Sequence, residues 1–176
     1  SNRSFAKAHR VEVRSCAVCY RTYSFDGDDD LHNVTAGPLG QKFLTSVEPK
    51  GIKGLAYWDN GFKVMSANSS IRKPEDYKGL KMRIQSSKVL DAQMRALGAL
   101  PQVMAFSEVY QALQTGVVDG TENPPSNLYT QKMYEVQKYV AMTNHGYLGY
   151  AVITNKKFWE GLPADVRGQP EKAMAE

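Results

Sequence analysis

From about residue 26 the chain alternates between helical and strand periods of apolar positions. Asp28-Asp29-Asp30 followed by Leu31, Val34 and Leu39 reads as an acidic helix start, and Gly37-Pro38 interrupts its period. Residues 40–48 continue as a helix with Phe43, Leu44 and Val47 on one side, and residues 52–58 read as a buried strand ending in the turn signal Asp59-Asn60-Gly61. Pro74-Glu75-Asp76 opens a short helical turn stopped by Gly79, and residues 80–84 have strand period. Ser86 or Ser87 caps a helix that turns Val89, Leu90, Met94 and Leu97 inward and ends at Gly98. A strand at 101–105 leads to a Ser107-capped helix with Val109, Tyr110 and Leu113 inward and Gly116 as its stop. Residues 117–120 form a strand entering the Pro124-Pro125 loop, and another helix runs to about Val136. Strands at 139–143 and 147–154 precede a last helical stretch from about Pro163, with Phe158 and Trp159 packing at its start. Strands alternating with helices predict an α/β fold with a largely parallel sheet, whose binding sites lie beyond the carboxyl ends of its strands.

That rule directs attention to two strand ends. Arg83 sits near the end of the 80–84 strand, before a serine-capped helix, where a guanidinium grips a carboxylate through two parallel hydrogen bonds; the alternatives are an exposed arginine or a structural ion pair. Asn123 follows the next strand and precedes Pro124, so its amide is either a ligand donor or a turn residue. Phe106, between a strand and a helix, lines a pocket wall or packs in the core. Catalytic constellations are scarce: His9, His32 and His145 lack any metal-protease or hydrolase context, and nothing pairs Asp119 with Glu122 for acid–base work.

The composition, 42% hydrophobic and 23% charged over 176 residues, is that of a globular chain of one domain or two small lobes. No apolar run approaches the roughly 20 residues that span a bilayer, and no repeat or low-complexity tract is present. The net charge of +4 suggests nucleic acid until it is located. Arg3, Lys7, Arg10, Arg14 and Arg21 against Glu12 account for all of it, so the rest of the chain is balanced and offers no phosphate-binding surplus. The same first segment, residues 1–25, holds Cys16 and Cys19 as a CxxC pair. The pair is a redox dithiol, half a zinc site, or two incidental thiols; His9 and His32 stand at no zinc spacing, and Tyr20-Arg21-Thr22-Tyr23 is a poor helix start for a thioredoxin-like site. No signal peptide's apolar core opens the chain, which fits a cytoplasmic and a processed exported protein alike, and the cysteine-free body is compatible with an oxidising compartment.

The stretch LKMRIQS at residues 80–86 and the run GALPQVMAFSEVYQALQTGVVDGTENP at 98–124 strongly resemble the extracytoplasmic solute receptors of TRAP transporters, the DctP-type, dicarboxylate-receptor-like family. GLAYWDNGF at 54–62 and NHGYLGY at 144–150 fit the same family, and the resemblance runs from about Asp29 to Arg167. It implies a periplasmic-binding-protein-like α/β architecture of two lobes that closes around a small organic acid and delivers it to a sodium-driven membrane permease. On that pattern the protein is periplasmic and neither an enzyme nor a cofactor carrier. Arg83 makes the main salt bridge to the substrate carboxylate, while Phe106 and Asn123 line or hydrogen-bond the ligand. Lys63 falls where sialic-acid-type members place a second basic contact, and its point charge favours another carboxylate. Trp58 and Asn60 are weaker candidates at the lobe crossing.

The resemblance divides the chain into an atypical segment 1–25, a remnant of the first lobe and crossover at 26–60, a second lobe at 61–145, and a return strand with a truncated helix at 146–176. It implies a fragment with a largely incomplete first lobe, and Pro170 interrupts what is normally a long helix. Two rival readings are a CxxC thiol–disulfide oxidoreductase and an inactive truncated receptor.

Overall fold

Two antiparallel strands form a long ribbon: β1 (Ile52–Phe62) pairs with β7 (Tyr147–Asn155) from Ile52 opposite Asn155 to Phe62 opposite Tyr147. The structure is a computed structural model and describes residues 28–175. Five further strands make a second sheet in the order β4 (Leu100–Val103), β3 (Lys81–Ile84), β5 (Gly120–Asn123), β2 (Val64–Ala67), β6 (Tyr139–Ala141). β4, β3 and β5 are parallel, whereas β2 runs against both β5 and β6. The sheet is therefore mixed, which corrects the expectation of a largely parallel one. Only Lys63 separates β1 from β2, so the chain enters the sheet at the edge where the crossover-connected strands leave it.

Strand period distributes the side chains over the two faces. Val64, Ser66, Thr121, Asn123 and Arg83 share one face, because Val64 opposes Asn123, Ser66 opposes Thr121, and Thr121 is in register with Arg83. There Val64 packs with Val109, Leu113, Val118, Leu128 and Met133 beneath α4 (Val109–Gln114) and α5 (Pro125–Thr130). The other face carries Met65, Met82 and Ile84, which meet Leu90 and Met94 of α3 (Lys88–Ala96). Met82, Ile84, Met94, Val64 and Val109 are fully buried, each worth about 1.5–3 kcal/mol. Gly120 lets the strands approach: a Cβ there would stand 2.3 Å from the Ser66 carbonyl oxygen.

Alongside the ribbon lie α1 (Asp28–Ala36) and α2 (Pro38–Thr45). Tyr57 donates to the Gly40 carbonyl at 2.9 Å, and His32 bonds Asp59. Glu48 accepts from Lys53 at 2.7 Å and from Lys156 at 2.8 Å, which ties the start of β1 to the start of α6 (Lys156–Gly161).

Several local expectations shift. Asp59-Asn60-Gly61 is no turn; β1 runs through it as a bulge, to Phe62. β2, four residues long, is too short to stand out in the sequence. β5 starts three residues later than expected, because Gly116 (φ 72°) closes α4 and the Val117 and Val118 amides still donate to the Ala112 carbonyl. The helix expected to run to Val136 breaks at Lys132, whose φ is 53°. Ser87, rather than Ser86, caps α3, accepting from the Leu90 amide at 3.3 Å. At α4 the carboxylate of Glu108 takes the Ala105 amide at 3.0 Å, and Ser107 is not the cap. The last helix, α7 (Ala164–Ala175), continues across Pro170 without the bond that an amide there would give the Val166 carbonyl.

Candidate functional site

The parallel strands β4, β3 and β5 all finish at one edge of the sheet, and β2 begins there because Val64 lies beside Asn123. Topology thus brings Lys63, Arg83, Phe106 and Asn123 to one edge from four sequence regions, where open α/β sheets hold their ligands.

Arg83 is 1% exposed. Its Nε and Nη2 both donate to the Met104 carbonyl, at 3.2 and 2.9 Å, and its guanidinium carbon lies 5.7 Å from the centre of the Phe106 ring. A carbonyl just past β4 and an aromatic face therefore set the plane of the cation. Asn123, the last residue of β5, is equally buried, and its Nδ2 donates to the Thr121 hydroxyl at 3.0 Å. Phe106 is half-buried and packs on the core under α4.

Lys63 meets a different environment. Its Nζ lies 2.8 Å from Oε2 and 3.0 Å from Oε1 of Glu122, and both side chains are buried. His145 Nε2 is 3.3 Å from the same Oε2, while its Nδ1 lies 2.8 Å from the Thr143 hydroxyl. The result is a buried polar chain from ammonium through carboxylate and imidazole to hydroxyl, whose carboxylate sits on the sheet face opposite Arg83. Two charges taken out of water need this geometry, because desolvation otherwise outweighs their attraction. Sequence reasoning did not pair Glu122 with Lys63 or find a partner for His145. A usable signal was present: Glu122 and Asn123 are consecutive on one strand, so they face opposite ways, and a carboxylate on a covered face requires a partner.

The other two candidates lie on the ribbon. Trp58 is opposite Tyr150 and about half exposed. Asn60 uses its amide on protein partners: Nδ2 donates to Asn127 at 3.1 Å and Tyr150 at 2.5 Å, and Oδ1 accepts from Ser126 at 2.6 Å. A cavity of about 470 Å³ opens on the sheet face opposite Arg83, with Met65, Ile71, Tyr77, Leu97, Ala141 and His145 among its walls. Cys16 and Cys19, and with them the dithiol reading, lie outside the described residues. Among the described residues no cluster of three His, Cys, Asp or Glu is placed to hold a metal, and no helix is long and apolar enough to cross a membrane. What the edge offers chemically is recognition: a fixed guanidinium, a primary amide and an aromatic wall suit a small anion.

The comparisons with known proteins agree with this fold. The model of the DctP family, bacterial extracellular solute-binding protein family 7, matches residues 3–176, a range that takes in nearly all of the compositionally distinct first segment. The chain is 65% identical over 173 residues to the C4-dicarboxylate-binding periplasmic protein DctP of Rhodobacter capsulatus, covering 98% of this chain and 52% of that one. It is 47% identical over 154 residues to the protein of the same description from Vibrio cholerae, covering 88% and 46%. The chain thus spans about half the length of the curated relatives it matches. A crystal structure of a TRAP periplasmic solute-binding protein from Shewanella oneidensis with bound succinate superposes with a TM-score of 0.87 at 43% identity, over 93% of this chain and 53% of that one. One from Pseudomonas aeruginosa with bound L-malate gives 0.86 at 40% identity, over 92% and 56%. The α/β architecture and the matched range agree, and the chain belongs to the DctP family of bacterial extracellular solute-binding proteins.

Proposed function

We propose that this chain forms the carboxylate-gripping part of a periplasmic receptor that captures a C4-dicarboxylate and presents it, unchanged, to a TRAP membrane permease. The observation that carries the reading is the placement of Arg83. A buried guanidinium at the carboxyl end of β3, fixed in plane by the Met104 carbonyl and backed by Phe106, suits bidentate capture of a carboxylate. Asn123, at the neighbouring strand end, lines the ligand's place with an amide held by the Thr121 hydroxyl and the Met133 sulfur, and Phe106 closes the wall. Lys63 is spent on Glu122, so it shapes the edge more than it adds charge there. Trp58 offers a further aromatic wall from the ribbon. Support for the ligand class comes from the relatives described as C4-dicarboxylate-binding and from the neighbours solved with succinate and L-malate. Support for the periplasm comes from the same descriptions, and the permease is proposed from the TRAP designation that the solved neighbours carry.

Thermal melting with succinate or L-malate tests this. A ligand present at a hundredfold over its dissociation constant stabilises the fold by about 2.7 kcal/mol, seen as a raised melting temperature. Arg83→Ala removes that rise. An Arg83→Ala protein that still gains the full rise would dismiss the assigned site, and a wild-type protein that gains nothing from either acid would dismiss the ligand class.

A further inference from the structure

The ribbon joins the five-stranded unit at an irregularity. Its register jumps between Asp59 and Gly61, which makes Asn60 an extra residue in β1, and Gly61 there takes φ 130°, a conformation open to glycine. At this bulge the Asn60 amide reaches three residues that lie 66, 67 and 90 positions away in sequence, Ser126 and Asn127 of α5 and Tyr150 of β7. Both amide hydrogens are taken, so the group is committed to the protein. The helix it holds starts at Pro125, two residues past Asn123, and Pro124-Pro125 stiffen that step because each ring fixes its φ. A shift of Asn123 therefore passes to α5 with little slack, and from α5 through Asn60 to the ribbon.

We propose that Asn60 is a positioning residue, a clasp that carries occupancy of the Arg83–Asn123 edge to the β1–β7 ribbon. The proposal rests on the reading above, in which a carboxylate occupies that edge. It gives Asn60 a role without ligand contact: the bulge lets the strand change direction, and the clasp decides which direction α5 allows.

Hydrogen exchange followed by mass spectrometry, with succinate as the probe, separates the two claims. In the wild-type protein succinate slows exchange in residues 80–86 and 120–128 and also in ribbon residues 147–153, by about tenfold at the most affected amides. In Asn60→Ala the first two segments are still slowed, but the ribbon exchanges as it does without ligand. Ser126→Ala and Tyr150→Phe, each lacking one of the three bonds, retain part of the ribbon effect. Full ribbon protection in Asn60→Ala overturns the clasp and leaves the receptor reading standing. Should Asn60→Ala fail to fold, Ser126→Ala decides, and ribbon protection equal to wild type there overturns it as well. Succinate that slows exchange nowhere in the wild type overturns the receptor reading and the clasp together. A merely structural asparagine would change exchange with and without ligand alike, without breaking the link between edge and ribbon.

Discussion

Lys63 and Glu122 are 59 residues apart, yet they form the most enclosed charge pair described in the molecule, at 2.8 Å. Removing one partner of such a pair strands the other in a medium that solvates it poorly. Glu122→Leu leaves the Lys63 ammonium and the His145 ring without that carboxylate, and we expect a loss of about 3–5 kcal/mol in urea unfolding. The double variant Lys63→Met with Glu122→Leu recovers most of it, since an apolar pair of similar volume needs no solvation. A Glu122→Leu loss below about 1 kcal/mol would mean that water reaches the pair. Two of the Arg83 donors go to a neutral carbonyl that fixes the orientation of its guanidinium. Its place near a strand end was legible in sequence, from the strand period of 80–84 and the serine-capped helix after it. Its carbonyl partner was not: Met104 lies 21 residues away and contributes through its backbone, which carries no residue signature.

Among the elements, β2 and β5 show how little local sequence says about a short central strand. Val64–Ala67 has four residues, all buried, and an alternation too brief to separate from its surroundings. What marks it is its neighbour. Gly120 faces the Ser66 carbonyl so closely that a Cβ would stand 2.3 Å from that oxygen and 2.9 Å from the Met82 sulfur. Gly120→Ala must therefore push β2 or displace Met82. We expect a cost of about 1–3 kcal/mol in denaturant unfolding, and a neutral substitution would mean that β2 and β5 are more loosely paired than their register implies. The bulge at Asn60 makes the complementary point. Asp-Asn-Gly is a turn signal in isolation, but β7 pairs with residues on both sides of it and converts the turn into a bulge.

On the scale of the whole molecule, Glu48 joins parts of the chain that are 108 residues apart, through Lys156. The hydrogen bond from Lys156, then that from Lys53, pulls its carboxyl from the ordinary 4.5 to about 2. A carboxyl with a depressed folded-state value stabilises the fold fully above its unfolded value and loses that contribution as pH falls from 4.5 toward 2. The gap in melting temperature between wild type and Glu48→Gln should accordingly be widest near neutral pH and shrink once the pH drops below about 4.5. A gap that stays constant down to about pH 3 would show that the carboxylate contributes no charge-dependent stability. The larger arrangement, a ribbon leading into a five-stranded unit, puts the strand-end edge that carries Arg83 and Asn123 next to the place where the ribbon attaches. That adjacency is what allows Asn60 to link the two.

By itself the sequence determined the α/β class and most of the helices, because these follow from periodicity, caps and glycine stops acting within about a dozen residues, whereas Arg83 stood out as a candidate anchor only through the family resemblance. The run at 98–124 and its companions also carried the family resemblance. Tertiary structure alone decided that the sheet is mixed, that Lys63 answers to Glu122, and that Asn60 holds α5 and β7. Each of these depends on partners tens of residues away, brought together only when apolar faces are buried and every enclosed polar group must find a counterpart.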